Sequence, residues 1–162
     1  MFHITASTAT DKAEAYAELA TQLRGLLAGE SDFIANAANL AAFIFHTLPD
    51  LNWAGVYRLS GRELILGPFQ GRPACVRIPV GKGVCGTAAA TRQTVLVADV
   101  HTFPGHIACD AASRAEIVIP LLQQGQLLGV LDLDSPTPGR FDAADQAGLE
   151  NFAAILLAAG GG

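Results

Sequence analysis

The chain has 162 residues, of which 51% are hydrophobic, and its formal net charge at pH 7 is −5. This length suits one domain, residues 1–162, with a sizeable core, and the ten scattered basic residues predict no nucleic-acid or anionic-lipid surface. No apolar run approaches the ~18 residues of a membrane-spanning helix, and the start lacks a signal-peptide pattern, so no membrane partner is expected.

Two amphipathic helices are predicted at the beginning of the chain, within residues 10–30 and 31–50. Apolar residues recur at helical spacing in both segments, as in an amphipathic helix that packs one face on a core. Each segment also carries polar capping residues before its apolar stripe and a helix breaker after it. These signals are Asp11 with Glu14, Ser31 or Asp32, Gly29 and Pro49.

Short β-rich segments bounded by turns follow the two helices. The predicted strands are 53–59, 63–69, 75–80, 94–100, 116–122 and 127–135. A short helix is predicted over 83–93, a long loop over 101–115, and a closing helix over 141–160. Helices at both ends of five or six strands predict an α+β fold, with one largely antiparallel sheet and helices packed on a face.

The glycine-rich segment GKGVCG matches the spacing G-x-G-x-x-G through Gly81, Gly83 and Gly86. A dinucleotide-binding unit would need alternating strands and helices and an acid ~20 residues further on, whereas Asp99 comes 13 residues after Gly86. The pattern therefore favours a tight turn that leads into a helix. Cys85 falls near the start of that helix, where the helix dipole favours a thiolate.

The chain contains three cysteines, Cys75, Cys85 and Cys109. An odd number without a signal peptide argues against structural disulfides and for the reducing cytoplasm. Their separations of ten and 24 residues do not resemble a zinc site, and His106 with Cys109 would form only one ligand pair. A buried structural role fits Cys85, but the polar, small-residue surroundings of Cys109 leave a redox or nucleophilic role equally open.

Three acids and the single tryptophan form a second group of candidate residues. Asp132 and Asp134 are two residues apart, so on a strand they share one face, and Glu116 starts the preceding strand. Such a carboxylate cluster attracts an ammonium group, and like-charge repulsion can keep one carboxyl protonated as a general acid. Trp53 begins the first strand and either packs in the core or faces an apolar ligand group.

Four segments together carry a family resemblance: NWAGVY, GPFQGRPACVRIPVGKGVCGTAA, HIACDAASRAEIVIPL and GVLDLDSP. With its three cysteines and acids in place, the chain resembles the GAF-domain free methionine-(R)-sulfoxide reductases from about Leu51 to its C-terminus. The resemblance implies a GAF fold, a homodimer, and reduction of free methionine-(R)-sulfoxide without a cofactor or metal. Thioredoxin is the implied reductant.

The resemblance also implies roles for individual residues. Cys109 would be the nucleophile and pass through a sulfenic acid, Cys75 the resolving thiol, and Cys85 an auxiliary or alternative partner. The implied substrate-binding residues are Glu116, Asp132, Asp134, Trp53 and Tyr57. Two other classes of function use similar features: a GAF module that binds a small ligand as a sensor, and a redox sensor that does not turn over.

Overall fold

The computed structural model describes residues 1–160, so residues 161–162 of the predicted domain lie outside the described part of the chain. Within residues 1–160, no helix is long and apolar enough to cross a membrane. The helices are α1 (Lys12–Leu27), α2 (Phe33–Thr47), α3 (Gly83–Thr91) and α4 (Ala143–Ala159), with a 3₁₀ turn at Val100–Thr102. The strands are β1 (Trp53–Ser60), β2 (Glu63–Gly71), β3 (Arg77–Pro79), β4 (Val95–Val97), β5 (Ala115–Gln123) and β6 (Gln126–Ser135).

The three long helices begin at aspartate caps. The Asp11 carboxylate accepts a hydrogen bond from the main-chain N–H of Glu14, and Asp32 does the same for Ala35. Asp142 opens α4 in a reciprocal capping box with the third residue of that helix. Each cap satisfies N–H groups that the first helical turn leaves without a partner. The polar residues before each apolar stripe therefore set where the helices start.

The six strands form one antiparallel sheet in the order β3-β2-β1-β6-β5-β4. The predicted α+β class and the number of strands are thus confirmed. The prediction of longer strands over 75–80 and 94–100 is wrong, because β3 and β4 are edge strands that pair over three residues each. Consequently Cys75 lies in the loop before β3 and not at the start of a strand.

The two faces of the sheet pack against different partners. Helices α1, α2 and α4 cover one face and bury the larger hydrophobic cluster, to which β1 contributes Ala54 and Val56. The alternate residues of β1, Trp53 and Tyr57, point to the opposite face, where they meet residues of α3 such as Cys85. This α3 face carries a smaller hydrophobic cluster, and the candidate site lies on it.

Candidate active site

Three carboxyl side chains lie together on the α3 face, where β5 and β6 adjoin. Glu116 is directly opposite Asp134 in the β5–β6 register, and Asp132 points to the same face two residues earlier on β6. Glu116 and Asp132 are only 6% and 5% exposed. All three line one narrow cavity that is partly open to solvent. The hairpin register thus brings together the three acids that the sequence singled out.

An aromatic wall adjoins these acids. Trp53 is opposite Asp134 in the β1–β6 register, and its ring stacks on Phe69 and Tyr57 at centroid distances of 5.2 and 5.8 Å. Gly55 makes room for the indole, because a Cβ at this position would lie 2.6 Å from the ring. Trp53 and Tyr57 line the cavity beside the acids. One side of the cavity is therefore apolar and flat, and the other carries the carboxyl groups.

The glycine-rich segment builds the floor of the cavity at the start of α3. Gly81 and Gly83 have φ values of +91° and +62°, which side chains rarely adopt. A Cβ on Gly86 would lie 2.5 Å from the carbonyl oxygen of Pro79. These glycines allow a tight turn and a close approach of the helix start to the preceding main chain, as the turn interpretation predicted. They place Cys85, which is 4% exposed, against the cavity, with its Sγ 3.9 Å from Glu116 Oε1.

The other two cysteines are joined to each other at the mouth of the cavity. Cys75, before β3, and Cys109, in the loop before β5, form a disulfide with a Cα–Cα distance of 5.5 Å. Cys109 lines the cavity together with the acids and Cys85. Of the three cysteines, Cys85 alone keeps a free thiol. The cavity thus has sulfur atoms at both its mouth and its floor.

Burial makes it unfavourable for the acids of the cavity to ionise. Loss of solvent, reinforced by the nearby Asp134 charge, raises the pKa of Glu116 from 4.5 to about 8. The pKa values of Asp132 and Asp134 are raised well above their usual range, first by burial and then by their carboxyl neighbours. Burial likewise raises the pKa of the Cys85 thiol. Among residues 1–160, no Lys or Arg lines the cavity to offset these charges.

His106 is part of the site in a way that the sequence did not indicate. The sequence singled it out only as a possible zinc ligand beside Cys109. In the structure its Nε2 lies 3.5 Å from Glu116 Oε2, and burial lowers the pKa of the imidazole. The contact joins the loop that bears Cys109 to the acid at the start of β5. The sequence alone could not indicate the contact between His106 and Glu116, because only the fold brings these two residues together.

Cys85, Glu116 and Asp132 each place a potential metal-ligand atom within 4.8 Å of the others. A divalent ion such as Zn²⁺ takes thiolate and carboxylate ligands, so this trio could hold one. The same buried acids also suit an ammonium group, which needs only oxygen acceptors around it. The cavity therefore combines a cluster of buried acids, an apolar wall and an adjoining disulfide.

Residues 32–159 match the GAF domain family, so the chain belongs to this family of α+β domains. A free methionine-R-sulfoxide reductase of Escherichia coli is 53% identical over 146 residues, 90% of this chain and 88% of that protein. A Saccharomyces cerevisiae protein of the same name is 41% identical, over 95% and 90% of the two chains. Within the GAF proteins, the chain belongs to the free methionine-R-sulfoxide reductases.

A solved structure supports the same assignment. The free methionine-R-sulfoxide reductase of Neisseria meningitidis, determined in complex with its substrate, superposes with a TM-score of 0.94 at 44% identity. The superposition covers 99% of this chain and 96% of that one. The family and the fold that the sequence resemblance implied are both confirmed.

Proposed function

We propose that this protein reduces free methionine-(R)-sulfoxide to methionine, with Cys109 as nucleophile and Cys75 as resolving thiol. The observation that carries the proposal is the Cys75–Cys109 disulfide at the mouth of a cavity that contains three buried acids. Family membership supports the substrate. Burial argues against Cys85 as the nucleophile, because its raised pKa keeps the thiol protonated. Cys85 is then an auxiliary or alternative partner.

The two sides of the cavity match the two ends of the substrate. The ammonium group of a free amino acid is attracted to Glu116, Asp132 and Asp134, which otherwise face one another without a cation. The methyl and sulfur end packs on Trp53 and Tyr57, since a flat aromatic wall suits an apolar group. This orientation directs the sulfoxide toward the mouth of the cavity and Cys109.

The chemistry follows from two thiols and one acid. The Cys109 thiolate attacks the sulfoxide sulfur while a protonated carboxyl of the cluster donates a proton to the oxygen. Methionine leaves, and Cys109 keeps the oxygen as a sulfenic acid. The Cys75 thiolate then attacks the sulfenic sulfur, which releases the oxygen as water and forms the disulfide. Two thiols are oxidised for each sulfoxide reduced, so the electrons balance.

The disulfide must be reduced before the next turnover. Thioredoxin is the reductant we propose, since the Cys109 side of the bond lies in a partly exposed loop that a protein dithiol can approach. The further expectations from the sequence belong to the same proposal: one GAF domain over 1–162, a homodimer and a cytoplasmic location. The domain assignment is supported by α1, which packs in the same hydrophobic cluster as α2 and α4.

The test is oxidation of NADPH coupled through thioredoxin reductase and thioredoxin, with each epimer of free methionine sulfoxide. We expect turnover with the R epimer and little with the S epimer, and light scattering gives the oligomeric state of the same sample. A sensor that does not turn over would consume at most one equivalent of NADPH per chain. Such a result would favour the ligand-sensing or redox-sensing alternative.

A further inference from the structure

Few main-chain hydrogen bonds connect the loop that carries Cys109, residues 103–113, to the rest of the protein. Its ends are fixed, because Arg114 donates its main-chain N–H to Ser135 O at 2.8 Å and accepts one from Val100 N at the same distance. Between these ends, the main-chain hydrogen bonds of the loop link residues two or three apart. Such local bonds shape the loop but do not fix it against the sheet.

The His106–Glu116 contact and the packing of Phe103 and Ile107 hold the first part of the loop. Asn52, one residue before β1, holds the part that follows Cys109. Its Nδ2 donates to Asp110 Oδ2 at 3.1 Å and to Ser113 Oγ at 3.0 Å, on the C-terminal side of Cys109. Its own main-chain N–H donates to the carbonyl oxygen of Asp134 at 3.0 Å. One residue therefore connects the Cys109 loop, through its side chain, to the strand that bears two of the acids, which its main chain contacts.

The other half of the disulfide is held from the same strand. The hydroxyl of Tyr57 donates to the main-chain carbonyl oxygen of Cys75 at 2.9 Å. Tyr57 belongs to β1 and Asn52 directly precedes it, so one strand contacts both cysteine-bearing segments. These hydrogen bonds do not require the disulfide, and they can persist when both cysteines are thiols.

The other polar atom of Asn52 indicates that this residue is not optimal for stability alone. Oδ1 is buried and has no hydrogen-bond partner among residues 1–160. A buried acceptor without a partner is unfavourable, and an apolar side chain of similar size would avoid it. A leucine at this position should therefore fold, while it loses both bonds to the loop.

We propose that Asn52 is a positioning residue that keeps the Cys109 thiol within reach of Cys75 during the catalytic cycle. Two hydrogen bonds that restrict the loop raise the effective concentration of one thiol toward the other, as any preorganised pair does. This inference rests on the proposed function, in which the two cysteines alternate between thiols and a disulfide. Its first test measures only the thiol–disulfide equilibrium and needs no turnover.

The equilibrium is an exchange with dithiothreitol. The protein dithiol and oxidised dithiothreitol give the protein disulfide and reduced dithiothreitol, so that one S–S bond breaks as another forms. After alkylation, mass spectrometry of the peptides with Cys75 and Cys109 gives the ratio of protein disulfide to protein dithiol. We expect Asn52→Leu to lower the equilibrium constant for disulfide formation about tenfold, which raises the reduction potential by about 30 mV.

Tyr16→Phe is the control for general destabilisation, because it removes one buried side-chain hydrogen bond far from the disulfide. Tyr16 donates to Asp145 at 2.8 Å beneath the other face of the sheet, so its loss tests general destabilisation alone. We expect its thiol–disulfide equilibrium to match the wild type. An equal shift in Tyr16→Phe and Asn52→Leu would show a nonspecific effect and overturn the proposal.

Ser113→Ala removes one of the two bonds and serves as a second variant if Asn52→Leu does not fold. We expect Ser113→Ala to lower the equilibrium constant for disulfide formation about threefold. The double variant should be no worse than Asn52→Leu alone, because both changes remove the same Asn52–Ser113 hydrogen bond. Single turnover with the substrate should leave more sulfenic acid, trapped by dimedone, in these variants. Wild-type equilibrium constants in both folded variants would refute the role of Asn52.

Discussion

The acid cluster leads to a prediction about which substrates this reductase accepts. Glu116, Asp132 and Asp134 share a cavity that no Lys or Arg lines within residues 1–160, and one oxygen each of Asp132 and Asp134 is buried there without a partner. A free amino acid brings an ammonium group to these oxygens. We expect acetylation of that nitrogen to cause a large loss of kcat/KM, since it removes the charge and leaves the carboxyl groups facing each other.

The magnitude follows from the burial of the acids. Leaving a buried charged group without its partner costs roughly 2–5 kcal/mol. At about 1.4 kcal/mol per factor of ten, this range corresponds to roughly a 30-fold to several-thousand-fold loss in kcat/KM. The raised pKa values of the acids let an unpaired carboxyl take up a proton instead of staying charged, and this favours the lower part of the range. A loss of about 30-fold is therefore the expected minimum.

The assay compares kcat/KM for free methionine sulfoxide, its N-acetyl derivative and 4-(methylsulfinyl)butanoate. The last compound lacks the amino group but adds no bulk, so it separates charge from size. Asp134→Asn should reduce the preference for the free amino acid about tenfold. Asp50→Asn is the matched control, because it makes the same change at an exposed position outside the cavity. Similar kcat/KM values for all three compounds in the wild type would refute the role of the acids.

Three further predictions concern the thiols and the titration of the site. Cys109→Ser should abolish turnover and leave the unfolding midpoint of the reduced protein nearly unchanged, since the side chain lies in a loop; substantial activity in this variant would move the nucleophile elsewhere. One equivalent of substrate should convert the reduced protein to the Cys75–Cys109 disulfide, as peptide mapping can show, whereas a stable sulfenic acid without a disulfide would contradict the scheme. In the disulfide-bonded protein, the raised pKa of Glu116, about 8 against 4.5, means that the folded state keeps a proton that the unfolded state releases. The free energy of unfolding, measured by urea titration, should therefore fall as pH rises from 4.5 to 8, and Glu116→Gln should make this fall smaller. If the variant showed the same dependence of the unfolding free energy on pH as the wild type, the raised pKa of Glu116 would be contradicted.

The sequence predicted the architecture because its signals are local. Apolar residues at helical spacing and aspartate caps mark the long helices, and turn residues separate the strands. The edge strands β3 and β4 were predicted too long, because each ends where its own chain turns away from a longer partner strand, and this turn depends on tertiary packing. For the same reason Cys75 lies in a loop although its neighbours have a β-rich composition.

The candidate site was predictable where its residues repeat with the period of a strand. Asp132 and Asp134 share a face by spacing alone, and the hairpin turn places Glu116 opposite them. Asn52 and His106 were missed in these roles, since their contacts depend on tertiary structure. Asn52 reaches a partner 58 residues further along the chain, and no local pattern encodes such a distance. The catalytic and binding roles of the site residues remain predictions.

The division of the sheet into two differently packed faces has a consequence for how this protein can be altered. The larger hydrophobic cluster lies under α1, α2 and α4, whereas the cavity opens on the α3 face. Because strand residues alternate between faces, an exchange of Trp53 leaves its neighbour Ala54 in place against the helices. Libraries restricted to the α3 face can therefore change the accepted sulfoxide while the layer that contributes most to folding keeps its packing. The domain is for this reason a suitable starting point for reductases of other small sulfoxides.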